Sequence, residues 1–358
     1  MRSYIITFIF TSCILHFFSA APQEKNVTLN RLLRNITKNA AISFGTYNHN
    51  DVIRRKFAKY QKDIDAKINR LTIKRLSGSY PVCPFRPPFF GEFGVELYGY
   101  IPWIYATRHT QRCNLKTIGA LGSRYLYFFS SNHTIVDVKR NPKPLPIGNA
   151  MGWTIHVSEN TTDWSRWRSP PWRLFFKSEH KLLPVNGKPL LLIFNKFSRE
   201  WKGNPVNFIP LETLSEIIED ARHRFQIVYI RMEIKQLQDH QDSIPFKDKT
   251  MLMQKFPDVY IFDDLFLDTA NSTDLDMYNL FLFGLAAQCK YFLSVQGGTS
   301  IIASLFGGEN IIFIKKGNEM AHGYGAYTRL GNTTISSTSE LSTLVIKMKQ
   351  LGVKHHAN

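Results

Sequence analysis

The second half of the chain alternates between short apolar runs and amphipathic stretches. That alternation restricts the fold more than any other feature of the 358 residues. PLLLIFNKF (Pro189–Phe197), QIVYIRM (Gln226–Met232) and DVYIFDDL (Asp258–Leu265) read as strands. YFLSVQGGTSIIASLFGGENIIFIKKG (Tyr291–Gly317) reads as strand, glycine turn, short helix and strand. Between them, PLETLSEIIEDARHRF (Pro210–Phe225) is an amphipathic helix with Pro at its start and acids in its first turns. DLDMYNLFLFGLAAQC is a second helix, and SELSTLVIKMKQLG closes the chain as a third. Strands alternating with helices predict an α/β fold, a parallel sheet covered on both faces. In such sheets ligands bind beyond the carboxyl ends of the strands.

The first half has a different texture. Residues 22–79 are polar and basic, and VIRRKFAKYQKDIDAKINRLTIKRL has a helical period. It reads either as a stem or as a helix docked on the body. From Tyr80, clustered prolines give way to glycines and an aromatic segment, with a helix expected over Val95–Thr107. RYLYFF (Arg124–Phe129) reads as a strand, and WSRWRSPPWRLFF (Trp164–Phe176) as a linker or an acceptor-facing surface. With 44% hydrophobic and 20% charged residues the chain has material for a packed core, and its length suits two domains. The division is 1–21 leader, 22–79 basic helical region, 80–180 first domain and 181–358 second domain.

The net charge of +17 would suggest nucleic acid in an intracellular protein, but the N-terminus argues against that compartment. MRSYIITFIFTSCILHFFSAAP is a signal peptide or short signal anchor, with one Arg before an apolar run. The run is shorter than the roughly 20 residues of a spanning helix. Six Asn-x-Ser/Thr sequons follow, at Asn26, Asn35, Asn132, Asn160, Asn271 and Asn332. The expected location is the ER or Golgi lumen behind a type II anchor, or outside the cell after cleavage. Anionic partners such as nucleotide-sugars and acidic glycans then account for the charge, and nucleic acid is not expected. Of the four cysteines, Cys83 and Cys113 are the candidates for a disulfide, and Cys289 reads as a buried thiol.

Polar residues gather where the strands should end: Asn195, Lys196, Glu200 and Trp201, then Arg231, then Asp263 and Asp264, then Gln296, Gly297, Gly298, Thr299 and Ser300. A helix beginning at the glycine pair would present free N–H groups and a positive dipole end to an anion. Arg231 would neutralise a diphosphate together with Gly298. Asp263 and Asp264 would recognise a base or ribose. Asp274-Leu275-Asp276 has the spacing of a metal-binding aspartate pair, but its place before a helix makes it a cap. No metal is therefore expected. Metal-free sugar transfer needs a general base, and Glu92 and Glu96 beside a glycine turn are the candidates.

With these residues in place, the chain resembles secretory-pathway glycosyltransferases of the GT-B type, over Pro189–Gly352 and more loosely back to Pro81. SVQGGTSIIASLFGGENIIFI is similar to the donor-domain unit of the EGF-domain GlcNAc-transferase and xylosyltransferase family. Where that family carries His-Gly and an Asn in the helix, this chain has Gln296 and no helical Asn. Arg231 after a strand is equally similar to fucosyltransferase-like enzymes. The resemblance implies two Rossmann-like domains facing across a cleft. It also implies a UDP- or GDP-linked sugar as co-substrate, a glycan or glycoprotein acceptor, and no metal cofactor. Two other classes remain open: a catalytically inactive GT-B-like glycan-binding protein, and a basic secreted protein that binds sulfated glycans.

Overall fold

The structure, a computed structural model, describes residues 51–74, 78, 80–84, 86–138, 140, 164–184, 186–199, 203–231, 244–270, 274–317 and 319–353. The leader and the sequons at Asn26, Asn35, Asn160 and Asn271 lie outside the described residues, as do Glu200 and Trp201.

Six strands form a parallel sheet: β3 (Leu190–Phe194), β4 (Gln226–Ile230), β5 (Tyr260–Ile261), β6 (Tyr291–Val295), β7 (Gly308–Phe313) and β8 (Thr333–Thr338), in the order β5-β4-β3-β6-β7-β8. The four inner strands are apolar on both faces because both faces are buried. Leu191, Ile193, Ile227, Tyr229, Leu293, Val295, Ile311 and Phe313 enter one apolar cluster. The residues between them, such as Leu192, Phe194, Val228, Ile230, Phe292 and Ile312, enter the other. Period-two side chains thus feed two cores. Each fully buried Leu, Ile or Phe contributes about 1.5–3 kcal/mol.

Helices cover both faces. On one side α4 (Leu211–Ala221) packs through Leu214, Ile217, Ile218 and Ala221, and the closing helix Leu341–Gln350 through Leu344, Val345 and Met348. On the other, α7 (Leu275–Gln288) and α8 (Gly298–Leu305) supply Leu280, Phe281, Phe283, Leu285, Ile301 and Leu305. Among the described residues, the N-terminal half joins this second core and builds no separate one. The helix over residues 51–74, α1, buries Phe57, Tyr60 and Ile64 there. Phe57 meets the edge of Phe281 at 5.0 Å, and the Tyr60 hydroxyl donates to the Phe176 carbonyl at 2.9 Å. Gly284 permits the approach: a Cβ there would lie 2.7 Å from Leu182 Cδ1 and 2.8 Å from Tyr60 Cζ. Residues 51–74 are therefore a docked helix. The described residues from Ile53 onward form one compact unit.

Several local expectations need correction. The helix expected over Val95–Thr107 starts at Phe93–Val95, continues as a π-helical turn, Glu96–Tyr100, and ends as α2 (Ile101–Gln111). Arg124–Phe129 is a set of turns with Tyr125–Phe129 buried, since an unbroken apolar run fits any buried segment. The strands of this half are β1 (Lys116–Ala120) and β2 (Asn132–Val136), a separate parallel pair. Asp258–Leu265 is extended only at β5; Phe262 opens α6 (Phe262–Ala270), whose first turn takes Asp263 and Asp264. The Trp164–Phe176 stretch sends Trp167, Trp172, Phe175 and Phe176 into the core and leaves Arg166, Arg168 and Leu174 exposed, with Trp172–Phe176 forming α3. Cys83 and Cys113 are disulfide-bonded, and Cys289 is a buried free thiol.

Candidate functional site

Counted along the chain, the large sheet has the doubly wound order 3-2-1-4-5-6, and its direction of winding reverses between β3 and β6. The helix after β3 packs on one face and the helix after β6 on the other. The two connections therefore diverge and open a crevice at the carboxyl ends of these strands, the ligand site of such sheets. Residues 195–198 leave β3 on one side of it, and Gln296-Gly297-Gly298 leave β6 on the other.

The glycine turn is shaped for close approach. Gly297 has φ 127° and ψ −160°, a conformation that L side chains rarely adopt. A Cβ built on it would lie 2.8 Å from the Lys196 Nζ, so the ammonium occupies the space a side chain would need. Gly298 opens α8, and its Cβ position has no heavy atom within 4 Å. The N–H groups of a first helical turn have no carbonyl one turn earlier to bind. The Thr299 and Ser300 hydroxyls turn back into the helix start, donating to the Val295 carbonyl at 3.0 Å and the Gly297 carbonyl at 2.7 Å. They hold the turn and present no hydroxyl hydrogen to a ligand.

Glu92 reaches the same place from the N-terminal half. One point, the Cβ position of Gly94, lies 3.7 Å from Glu92 Oε1, 3.5 Å from Gly298 Cα and 3.0 Å from Ile301 Cδ1. The loop is held from behind by Arg140, which pairs with Glu96 Oε2 at 2.6 Å, donates to the Gly91 carbonyl at 3.3 Å and covers the Phe93 ring at 5.1 Å. Glu96 itself is fully buried and accepts from the Tyr127 hydroxyl at 2.5 Å. Burial raises the Tyr127 phenol well above its ordinary range, which keeps it the donor. Glu96 is therefore a positioning group for the loop, inaccessible to an acceptor hydroxyl, and Glu92 alone of the two expected bases stands at the crevice.

The other expected residues divide clearly. Asn195 is buried; its amide donates to the Ile209 carbonyl at 3.1 Å, and its oxygen accepts from the N–H groups of Lys196 and Ile209 at 3.0 Å each. It shapes the loop that carries Lys196. Gln296 is buried and accepts from the Tyr324 hydroxyl at 2.7 Å. Arg231 does not reach the crevice as a ligand cation. Its guanidinium, 4% exposed, holds the fully buried Asp248 by a fork of 2.6 and 2.7 Å. Asp263 is buried and accepts from Tyr278 at 3.2 Å, and Asp264 pairs with Lys249. Both lie beyond β5, two strands from the crevice. Asp274 caps α7 by accepting from the N–H groups of Asp276 and Met277, while Asp276 accepts from the Arg124 N–H at 2.9 Å.

Strand-end reasoning missed Asn207, Lys315 and Lys316. Lys315 and Lys316 follow β7 and are exposed. The buried Asn207 accepts from both of their N–H groups, at 2.8 and 3.1 Å, and donates to the Lys316 carbonyl at 2.8 Å. The β3–α4 connection is thereby tied to the end of β7, adding two ammonium groups to the carboxyl edge. The signal was present in IIFIKKG, a strand end like the others.

No protein-family profile matches the chain, and neither does any curated protein or any solved structure.

Proposed function

We propose that the crevice binds the diphosphate of a nucleotide-sugar and that the chain is a glycosyltransferase. One observation carries the reading: Lys196 and the Gly297–Gly298 turn face each other across the point where the sheet reverses, and Glu92 adjoins them. Backbone N–H groups, a helix dipole and an ammonium group suit phosphate oxygens. A glycine that tolerates no side chain lets a ligand approach the backbone. Glu92 is the proposed general base for the acceptor hydroxyl, and its loop would contribute the acceptor side of a GT-B-type arrangement. The reading includes transfer without a metal, since Asp274 and Asp276 are engaged with backbone N–H groups.

Six sequons behind a signal-like run support a place in the secretory pathway. Asn132 and Asn332 are exposed, as are the hydroxyl residues Thr134 and Thr334 of their sequons.

The test is a thermal-shift screen of UDP-, GDP- and CMP-sugars in EDTA, followed by glycan transfer assays with the stabilising donor. Stabilisation by a UDP- or GDP-sugar that Lys196→Ala abolishes supports the proposal. Absence of any donor effect removes it. Glycosidase digestion of protein from a eukaryotic host should shift its electrophoretic band.

A further inference from the structure

Two segments of the chain lack any carboxylate. There is no Asp or Glu from Leu97 to Val136, and none from Trp164 to Ser178. The fold brings their cations together at the C-terminal end of α2. The Arg168 N–H donates to the Pro102 carbonyl at 3.0 Å, which lays that strand of chain along the helix. The Arg168 guanidinium then donates to His109 Nδ1 at 3.2 Å. Arg108 precedes His109, and Arg112 ends the helix with a left-handed backbone, φ 49°. Some burial, and then the charges of Arg168, Arg108 and Arg112, hold His109 below the ordinary imidazole value. Three guanidinium groups thus act on one neutral ring.

A helix C-terminus attracts cations, which accounts for Arg108 and His109. It does not account for Arg168, which comes from another segment and adds charge where Arg108 and Arg112 already stand as a like-charge pair at i,i+4. Among the described residues none of the three arginines pairs with a carboxylate, and the Arg108 Nε, shut off from solvent, has no hydrogen-bond partner. Arg86 adds a fourth guanidinium beside the same helix, over the Trp103 ring at 4.7 Å and 3.4 Å from the Thr107 hydroxyl. His109, Arg112 and Arg168 are exposed. The fold spends energy to crowd these charges and supplies nothing to neutralise them, so an anion from outside would relieve the crowding. The cations are guanidinium groups, planar, weakly hydrated and able to hold two oxygens of one anion at once.

We propose that this end of α2, through Arg108, Arg112 and Arg168, binds a sulfated glycan. The choice of sulfated glycan over nucleic acid rests on the secretory location proposed above, where sulfated chains are the polyanions at hand. The surface is separate from the crevice. α2 leads away from the Glu92 loop, and its 11 residues span about 16 Å.

The experiment is calorimetric titration of the full chain with a heparin oligosaccharide, its desulfated counterpart and a single-stranded DNA of equal charge, at several salt concentrations. Heparin should bind, desulfated heparin should bind at least about tenfold more weakly, and the DNA should bind more weakly than heparin. Arg112→Asn together with Arg168→Gln should weaken heparin binding by about tenfold and reduce the slope of log K against log salt by about 1.5. Asn suits the left-handed backbone at 112, so the melting temperature should match the parent's. Lys59→Gln with Lys62→Gln, at exposed positions of α1, removes the same formal charge and should change binding by less than about twofold. The proposal falls if heparin does not bind, if desulfated heparin or the DNA binds as tightly, or if the α1 pair costs as much as the arginine pair. An unchanged affinity in the arginine pair also overturns it. Lys196→Ala reads the nucleotide crevice separately, so either site can fail alone.

Discussion

Lys196 and Arg231 follow adjacent strands of one sheet and would seem interchangeable as phosphate ligands. Their surroundings differ. Arg231 is buried against Asp248, which belongs to α5 (Asp248–Lys255). Lys196 is half-buried and lies beside Gly297 at the crevice. A cation at a strand end can serve the fold or a ligand, and a carboxylate that buries it commits it to the fold. Arg231 has such a partner 17 residues on. A buried pair of this kind adds little net stability, yet losing one member is expensive because the other is left charged and dry.

That contrast can be broken at its strongest point first. Asp248→Ala should lower unfolding free energy by about 3–5 kcal/mol in urea titration. Replacing Arg231 and Asp248 together by Met and Leu should recover most of the loss. A small cost for Asp248→Ala would mean that Arg231 is able to turn elsewhere, and its ligand role would reopen. Lys196→Ala should behave in the opposite manner. It should weaken UDP- or GDP-sugar binding by about 10- to 100-fold, a charge-assisted contact of about 1.5–3 kcal/mol, while stability moves by no more than about 0.5 kcal/mol. Calorimetric titration beside urea unfolding separates the two.

The glycines sharpen the comparison further. Gly297→Ala forces a side chain into φ 127° and against the Lys196 ammonium, and should cost about 1–3 kcal/mol of stability. Gly298→Ala meets open space, and its stability should stay within about 0.5 kcal/mol of the parent. If Gly298→Ala nevertheless weakens nucleotide binding, the open space is where the ligand sits. Equal destabilisation by both substitutions would show that the turn is constrained by packing alone.

The parts legible in the sequence were those where local composition and burial agree. β3, β4, β6 and β7 are apolar runs with a helix between most of them, and the glycine pair marks the turn after β6. Strand β8, TTISST, was invisible because an edge strand with one half-buried face needs no apolar run. β1 and β2 are short and mixed for the same reason. The site was legible as a rim, since strand ends must carry whatever the sheet presents. Which members face a ligand was not, because Asp248 claims Arg231 and Arg140 claims Glu96 through tertiary contacts. Spacing could not reveal either pair. Asp263 and Asp264 misled for a further reason: acids stabilise a helix start as readily as they decorate a strand end.

The docking of α1 has a consequence for how the chain is made. Its apolar stripe, Ile53–Phe57–Tyr60–Ile64, leaves the ribosome long before its cover, which comes from Phe176 and from Phe281 in α7. Arg54 reaches the Asp268 carbonyl across 214 residues. Contacts this distant form slowly, and until they form an unsatisfied amphipathic helix is exposed to every neighbouring nascent chain. The emerging N-terminal half must therefore be sheltered until its last third has been synthesised, and any truncation before α7 leaves the stripe without its mate.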